Sequence, residues 1–362
     1  MKIVADLDKI TANARATVDQ CARHGVSVAA VTKCVCGDPA IVRAILAGGV
    51  RAIGESRLDN VRRIRDAGID CEILLVRLPA LSEVDDVVAL TTSSLNSESR
   101  VLRALSEAAV RRRKTHEVLV IVEWGDRREG VMPEDAATLC RLAVALPGLE
   151  LAGVACSLNC LCGVLPTQEN MRSFASFVEH LEEELGLRFG VVSGGHTNNL
   201  HLVVSGSSPP RIDHLRVGEG ILLGRDSICD VSLPGTHHDT FKVYAEVIEV
   251  KEKPSAPEGE TGPDGLMRVH EWPDHGIRRR AVLAMGDIHL DTRWLIPTRT
   301  GVEMVGASSD HTVVDVTDTE PPIEVGEELE FDAHYVAVAT GWAGRCAQRA
   351  FASEGIAPSA RD

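Results

Sequence analysis

Val26-Ser27-Val28-Ala29-Ala30-Val31-Thr32-Lys33 is a short, almost uninterrupted apolar run that ends in a lysine. A valine-rich run of this length reads as a strand buried on both faces, as in a parallel sheet. Outward from it the same signature returns seven times, at residues 50–54, 72–76, 90–94 (weakly), 116–124, 149–156, 188–193 and 212–217. Amphipathic stretches separate the runs, among them 38–46, 56–65, 97–112, 133–145 and 167–185. Eight βα units in succession favour a closed parallel, TIM-like (β/α)8 barrel over an open doubly wound sheet. They place an active site at the C-terminal ends of the strands.

After Leu233-Pro234-Gly235 the texture changes. Residues 241–250 alternate like a half-buried strand, and 254–265, rich in Pro, Gly and Glu, read as an exposed loop. Further short strands fit 280–284, 302–305, 313–316 and 336–339. The expected architecture is α/β, with a barrel over residues 1–233 followed by an all-β C-terminal domain over 234–362. The acidic stretch 324–330 reads as a turn and strand rim, and the tail after Phe351 as loosely ordered.

The 362 residues carry a formal net charge of −15. That balance argues against nucleic acid or an anionic membrane as the main partner, since both select basic surfaces. Asp6 and Asp8 interrupt any signal-like start, and no apolar run is long enough to span a bilayer, so a cytoplasmic protein is expected. The ten cysteines read as free thiols of a reducing compartment.

Two regions carry chemistry. Lys33 ends the first strand, so in a barrel its amine projects into the mouth, where desolvation favours a nucleophilic, basic amine. A lysine snorkelling at a strand end reads equally well. Asp213-His214-Leu215-Arg216-Val217-Gly218-Glu219-Gly220 sets an arginine at the end of the eighth strand, followed at once by glycines. Such loops leave N–H groups open to a phosphate, although most glycine-rich segments are only tight turns. Ser193-Gly194-Gly195-His196-Thr197-Asn198 adds hydroxyls and amides on the neighbouring strand end.

These motifs together resemble the alanine racemase-like, fold type III pyridoxal-phosphate enzymes. Ile3 to Ile10 with Asn13 resembles their N-terminal signature, Val31-Thr32-Lys33 their cofactor lysine, and Leu215 to Gly220 their arginine-and-glycine motif. Gly306 to Val316 resembles their aspartate segment in the β domain. Lys33 to Pro39, Gly54 to Asn60, Trp124 to Gly130 and Gly163 to Met171 are similar to the ornithine racemase branch. The resemblance implies an amino-acid racemase using pyridoxal 5'-phosphate, acting on ornithine or another basic amino acid, and working as a homodimer. It implies that Lys33 holds the cofactor and acts as base on Cα, and that Arg216 bonds the pyridine nitrogen. Arg128 would lie near the substrate carboxylate. Ser193, Gly195 and Thr197, with the amides of Gly218 and Glu219, would hold the phosphate. Glu123, Asp126 and Glu129 are available to a cationic side chain. No metal is expected.

The chain departs from the family at the second acid–base group. Its two tyrosines, Tyr244 and Tyr335, fall outside the matching segment Ala284-Met285-Gly286-Asp287-Ile288-His289. Asp287 and Asp310 stand as candidates, beside His289 and His311. Cys34, Cys36, Cys156, Cys160 and Cys162 all fall just past strand ends, where small buried residues filling the mouth are the reading preferred over a catalytic thiol. His237-His238-Asp239 reads as a solvated linker. Two alternatives stay open. One is a lyase or aldolase on the same fold, such as a D-threonine aldolase or D-serine dehydratase, which needs a metal site in the β domain. The other is a non-catalytic cofactor-binding protein, which resembles the barrel alone.

Overall fold

The computed structural model describes residues 1–229 and 231–352. The described chain divides into two compact units, one formed by Asp8–His238 and the other by Met1–Leu7 with the residues from Asp239 onward. A first strand, β1 (Lys2–Ala5), belongs to the second unit.

Eight strands close the barrel in sequence order: β2 (Ser27–Val31), β3 (Ala52–Glu55), β4 (Glu72–Leu75), β5 (Ser93–Asn96), β6 (His116–Val122), β7 (Leu149–Cys156), β8 (Val191–His196) and β9 (His214–Val217). All neighbouring pairs are parallel, and β2 meets β9 with Ala29 beside Arg216 and Ala30 beside Val217. β6, His-Glu-Val-Leu-Val-Ile-Val, shows why these runs lack alternation: both of its faces are covered, and only Glu117 is not buried. Leu74, Leu95, Leu119, Ile121 and Ala155, from four successive strands, pack into one buried cluster. The five expected helices form within two residues of the sequence reading. Local chemistry sets their ends. Asp38 caps Pro39–Ala47 through the N–H of Ala40. Thr167 and Asn170 bond reciprocally at the start of Gln168–Leu185, and Gly186, at φ 64°, ends it. A two-strand ribbon, β10 (Arg225–Asp226) and β11 (Val231–Ser232), follows the barrel.

In the second unit β12 (Phe241–Pro254) is the spine. It pairs antiparallel with β13 (Ile277–Leu283), with β17 (Glu328–Ala333) and with β1. β14 (Leu295–Pro297) extends β17, while β15 (Glu303–Ala307) and β16 (Thr312–Asp315) extend β13. β18 (Gln348–Phe351) lies parallel to β1. One expected strand is corrected: residues 336–339 are part of the helix Tyr335–Ala343. Four apolar residues cannot distinguish the two periods. The helix wins because it buries Ala337, Val338, Gly341 and Trp342 on one side, with Trp342 edge-on to Phe241 at 5.6 Å. The acidic stretch proves to lead into β17, where Leu329, Phe331 and Ala333 are buried while Lys242 pairs Glu330 and Asp332 on the other face. The tail beyond 352 lies outside the described residues. Among the described residues no helix is long and apolar enough to cross a membrane.

The barrel wall contains a buried ion pair that yields a test. Arg211, ahead of β9, donates to both oxygens of Glu182 in Gln168–Leu185 and to the Phe189 carbonyl. Burial alone raises Glu182, but the hydrogen bonds and charge of Arg211 outweigh it and hold the carboxyl below the ordinary range. Arg211→Ala leaves the buried carboxylate with the exposed Arg188, at 3.7 Å, as its remaining cation and should cost about 3 kcal/mol in urea unfolding. The wild-type pair contributes fully above about pH 4.3 and loses its contribution as pH falls through the lowered value. The stability difference between wild type and variant should therefore shrink in acid; a pH-independent difference would refute the assignment.

Candidate active site

Lys33 stands at the lip of the mouth, two residues beyond Val31, the last partner of β2 with β3. It is exposed, and among the described residues its amine has no hydrogen-bond or ion-pair partner. The chain beneath it is pinned. The Thr32 hydroxyl donates to Glu55 Oε1 at 2.7 Å, and Glu55 Oε2 accepts from Asn60 Nδ2 and the Ser56 N–H, each at 3.0 Å. Glu55 is fully buried, and burial raises its carboxyl although these bonds pull the other way. Cys36 and Gly37 turn the chain at φ 54° and 59°. At Gly37 a Cβ would sit 3.0 Å from the Asn60 carbonyl, which makes glycine the fitting residue there.

Arg216 is 4% exposed. It donates to Ser193 Oγ and, at 2.7 Å, to the Cys156 carbonyl. A guanidinium cannot accept, so Ser193 Oγ is the acceptor there and turns its own hydrogen to His214 Nδ1 at 2.8 Å. Burial and the charge of Arg216 push His214 down to about 3, so it is the neutral acceptor this chain needs. The Ser193 hydroxyl thus positions Arg216, whereas the sequence placed it on a phosphate. The sequence carries a signal for His214, since it lies two residues from Arg216 on one strand and so shares that residue's face.

Next along the rim, Thr197 Oγ1 accepts from the N–H groups of Gly218 and Gly220 at 3.2 and 3.3 Å, tying the two loops together. The Gly218 amide, expected to be open, is therefore engaged with Thr197. Gly195 has φ 135°, and a Cβ on it would stand 2.2 Å from Asn199 Oδ1. Asn198 is buried, yet its Nδ2 donor has no partner among the described residues. Glu219 accepts from the Ser227 hydroxyl, and burial raises its carboxyl.

Across the mouth, Arg128 pairs with Glu129 and donates to Ser157 Oγ at 3.2 Å. Asp126 is buried and accepts the N–H groups of Cys160, Leu161 and Cys162 at 2.9–3.1 Å. Glu123 is bonded to the Gly125 N–H. Glu123 and Asp126 shape loops, and Glu129 is held on both oxygens by Arg128. The cysteines divide. Cys34, Cys36 and Cys156 are buried, while Cys160 and Cys162 are exposed. Cys160 Sγ lies 3.2 Å from His196 Nε2 and 3.5 Å from Ser157 Oγ.

The remaining candidates belong to the β unit. Asp287 is occupied on both oxygens, by Arg268 on one and by the Thr292 N–H and hydroxyl on the other. Asp310 is exposed and accepts from the Ser309 hydroxyl. The segments 284–289 and 306–311 are bonded to each other, Asp287 N–H to Ser308 O and Ile288 N–H to Ser309 O. His289 bonds Gly286, and His311 is exposed. Tyr244 donates to Glu330, and Tyr335 begins a helix. Within the barrel unit, Asn13 holds the main chain of His237 through two bonds. Among the described residues the one His/Cys/Asp trio close enough to share an ion, His201, Asp226 and Cys229, is also in the barrel unit.

Residues 5–226 match the family of the alanine racemase N-terminal domain. The chain is 35% identical to an ornithine racemase of Acetoanaerobium sticklandii over 94% of this chain and 96% of the relative. It is 36% identical to a lysine racemase of Thermotoga maritima over 92% and 93%. Among solved structures, an alanine racemase of Clostridium difficile 630 superposes with a TM-score of 0.74 over 97% of this chain and 95% of that one, at 16% identity, a likeness of fold.

Asp126 supplies a test of the rim. In Asp126→Asn one carboxylate oxygen becomes an amide donor facing N–H groups, so charge-assisted bonds worth about 1.5–3 kcal/mol are weakened. Amide hydrogen exchange at Cys160, Leu161 and Cys162 should quicken about tenfold or more. Unchanged exchange there would show that other contacts hold the loop.

Proposed function

Because the chain belongs to the alanine racemase N-terminal domain family, we propose that it is a pyridoxal-phosphate-dependent racemase interconverting the L and D forms of a basic amino acid, ornithine or lysine. The observation that carries the reading is Arg216. Among the described residues its buried guanidinium is hydrogen-bonded only to neutral acceptors, Ser193 Oγ and the Cys156 carbonyl. An unpaired buried cation is costly, and an electron-rich ring nitrogen offsets that cost. Arginine keeps its proton, so a nitrogen bonded to it stays unprotonated. A ring of that kind is a moderate electron sink, which suits proton transfer at Cα over competing fates of the substrate.

The unpartnered Asn198 Nδ2 fits an anion such as the cofactor phosphate, with Thr197, Gly195 and the loop at Gly218 and Glu219 around it. Bound pyridoxal phosphate supplies an electron-withdrawing ring that lowers the cost of ionising Cα–H. Lys33 holds the cofactor through its amine and moves the proton at Cα. Arg128 orients the substrate carboxylate, for which its planar fork is suited. Ten free cysteines support a reducing, cytoplasmic setting. The active form in this reading is a homodimer.

The test follows the α-hydrogen. Purified protein loaded with pyridoxal phosphate, in deuterium oxide, should exchange and invert ornithine or lysine, and Lys33→Ala should reduce this by about 10⁴-fold or more. Sedimentation of the active form should show a dimer. Absence of exchange with both amino acids, or a fully active monomer, would overturn the corresponding part of the reading.

A further inference from the structure

Inverting a carbon centre requires a proton taken on one side and delivered on the other. Lys33 serves one side. The barrel unit contains no tyrosine, and Asp287 is occupied on both oxygens. Counted round the closed barrel through β9 and β8, β7 stands three strands from β2, one short of diametrically opposite. The loop that follows β7 therefore faces Lys33 across the mouth, and Cys160 is on that loop.

The surroundings of Cys160 are assembled from three strand ends. His196, at the end of β8, has Nε2 bonded to the Leu158 carbonyl, which can only accept. That nitrogen therefore carries hydrogen and presents the same donor to Cys160 Sγ at 3.2 Å. Ser157 lies at 3.5 Å from the sulfur, and Arg128, beyond β6, bonds the same serine and adds positive charge. The acid on this side, Asp126, is turned to the main-chain N–H groups of the loop. Glu129 is paired with Arg128.

Resting on the racemase reading, we propose that Cys160 is the second acid–base group of the reaction, acting across the mouth from Lys33, with His196 as its positioning residue. In one direction Lys33 takes the Cα hydrogen as a proton, breaking C–H and forming N–H. The Cys160 thiol gives its proton to the opposite side, breaking S–H and forming C–H. The reverse direction exchanges the roles, and one proton passed through water restores the starting state. Such a group must be present in both forms near neutrality. Partial burial raises the Cys160 thiol, but hydrogen bonds from His196 and Ser157 and the charges of His196 and Arg128 outweigh it and bring it down to about 7. Cys156, four residues earlier, is pushed up to about 12 by burial.

The thiol is read first without turnover. Iodoacetamide labelling of the full chain, resolved by peptide mass spectrometry over a pH series, should titrate Cys160 with a midpoint near 7. In His196→Gln the midpoint should move toward the ordinary thiol value of 9.0. Cys162, also exposed and on the same loop, is the internal reference. The second readout uses loaded protein with ornithine and lysine in deuterium oxide. Cys160→Ser should keep Lys33-dependent exchange of one enantiomer while inversion falls about 100-fold or more. Inversion within about threefold of wild type, or a wild-type midpoint near 9.0 that His196→Gln leaves in place, overturns the proposal and leaves the racemase reading standing. Absence of exchange in the wild type overturns both.

Discussion

The parallel ladder between β2 and β9 is the contact on which the site depends. It joins the first and last strands of the barrel, from Ser27 beside His214 to Ala30 beside Val217. Closure sets the strand that leads into Lys33 beside the strand that carries Arg216, with Ala29 opposite the arginine. In an open sheet with the same strand sequence Lys33 and Arg216 would sit at different places along the edge, and no single pocket would gather them. Closure also aims every βα loop at one rim, so that Arg128 beyond β6 and His196 of β8 reach Ser157 and Cys160 beyond β7 from distant parts of the sequence.

Within that frame the strongest constraint is electrostatic. Arg216 is buried with no carboxylate bonded to it among the described residues, and the groups that hold it are neutral. Ser193 accepts from it, and His214, held down to about 3, accepts from Ser193. A carboxylate in the place of His214 would bring a negative charge one hydroxyl away from the guanidinium and lessen its demand for a further acceptor. The protein instead leaves the cation under-compensated, which makes it selective for an electron-rich partner.

Most of this frame was legible from residue patterns. The eight apolar runs became the eight barrel strands because burial on both faces imposes a composition that short segments reveal. Arg216 lies near the end of β9, Lys33 and Thr197 lie just past β2 and β8, and Arg128 lies in the loop beyond β6. Features that depend on distant partners were not legible. β1 joins β12 in the second unit, a pairing no local period records. The segment 336–339 is too short to show its period, and its fate follows from what Trp342 packs on. Ser193 and Asp126 are polar residues in the expected places, but which polar group each one meets is set by side-chain geometry on neighbouring strands.

The cysteines show the same division at the level of chemistry. In sequence Cys34, Cys36, Cys156 and Cys160 share one description, a small thiol just past a strand end. Burial removes three of them from water and drives Cys156 far from neutrality. Only Cys160 among these four is exposed and lies against a histidine whose ring nitrogen already carries hydrogen. Tyr244 makes the complementary point, since burial and the neighbouring Glu330 push its hydroxyl up to about 12. A phenol so placed is a poor proton donor at neutral pH, whereas a thiol held near 7 both gives and takes. Acid–base capacity in this chain is therefore set by the partners each group is given, which widen the small difference that residue type alone provides between the phenol and the thiol.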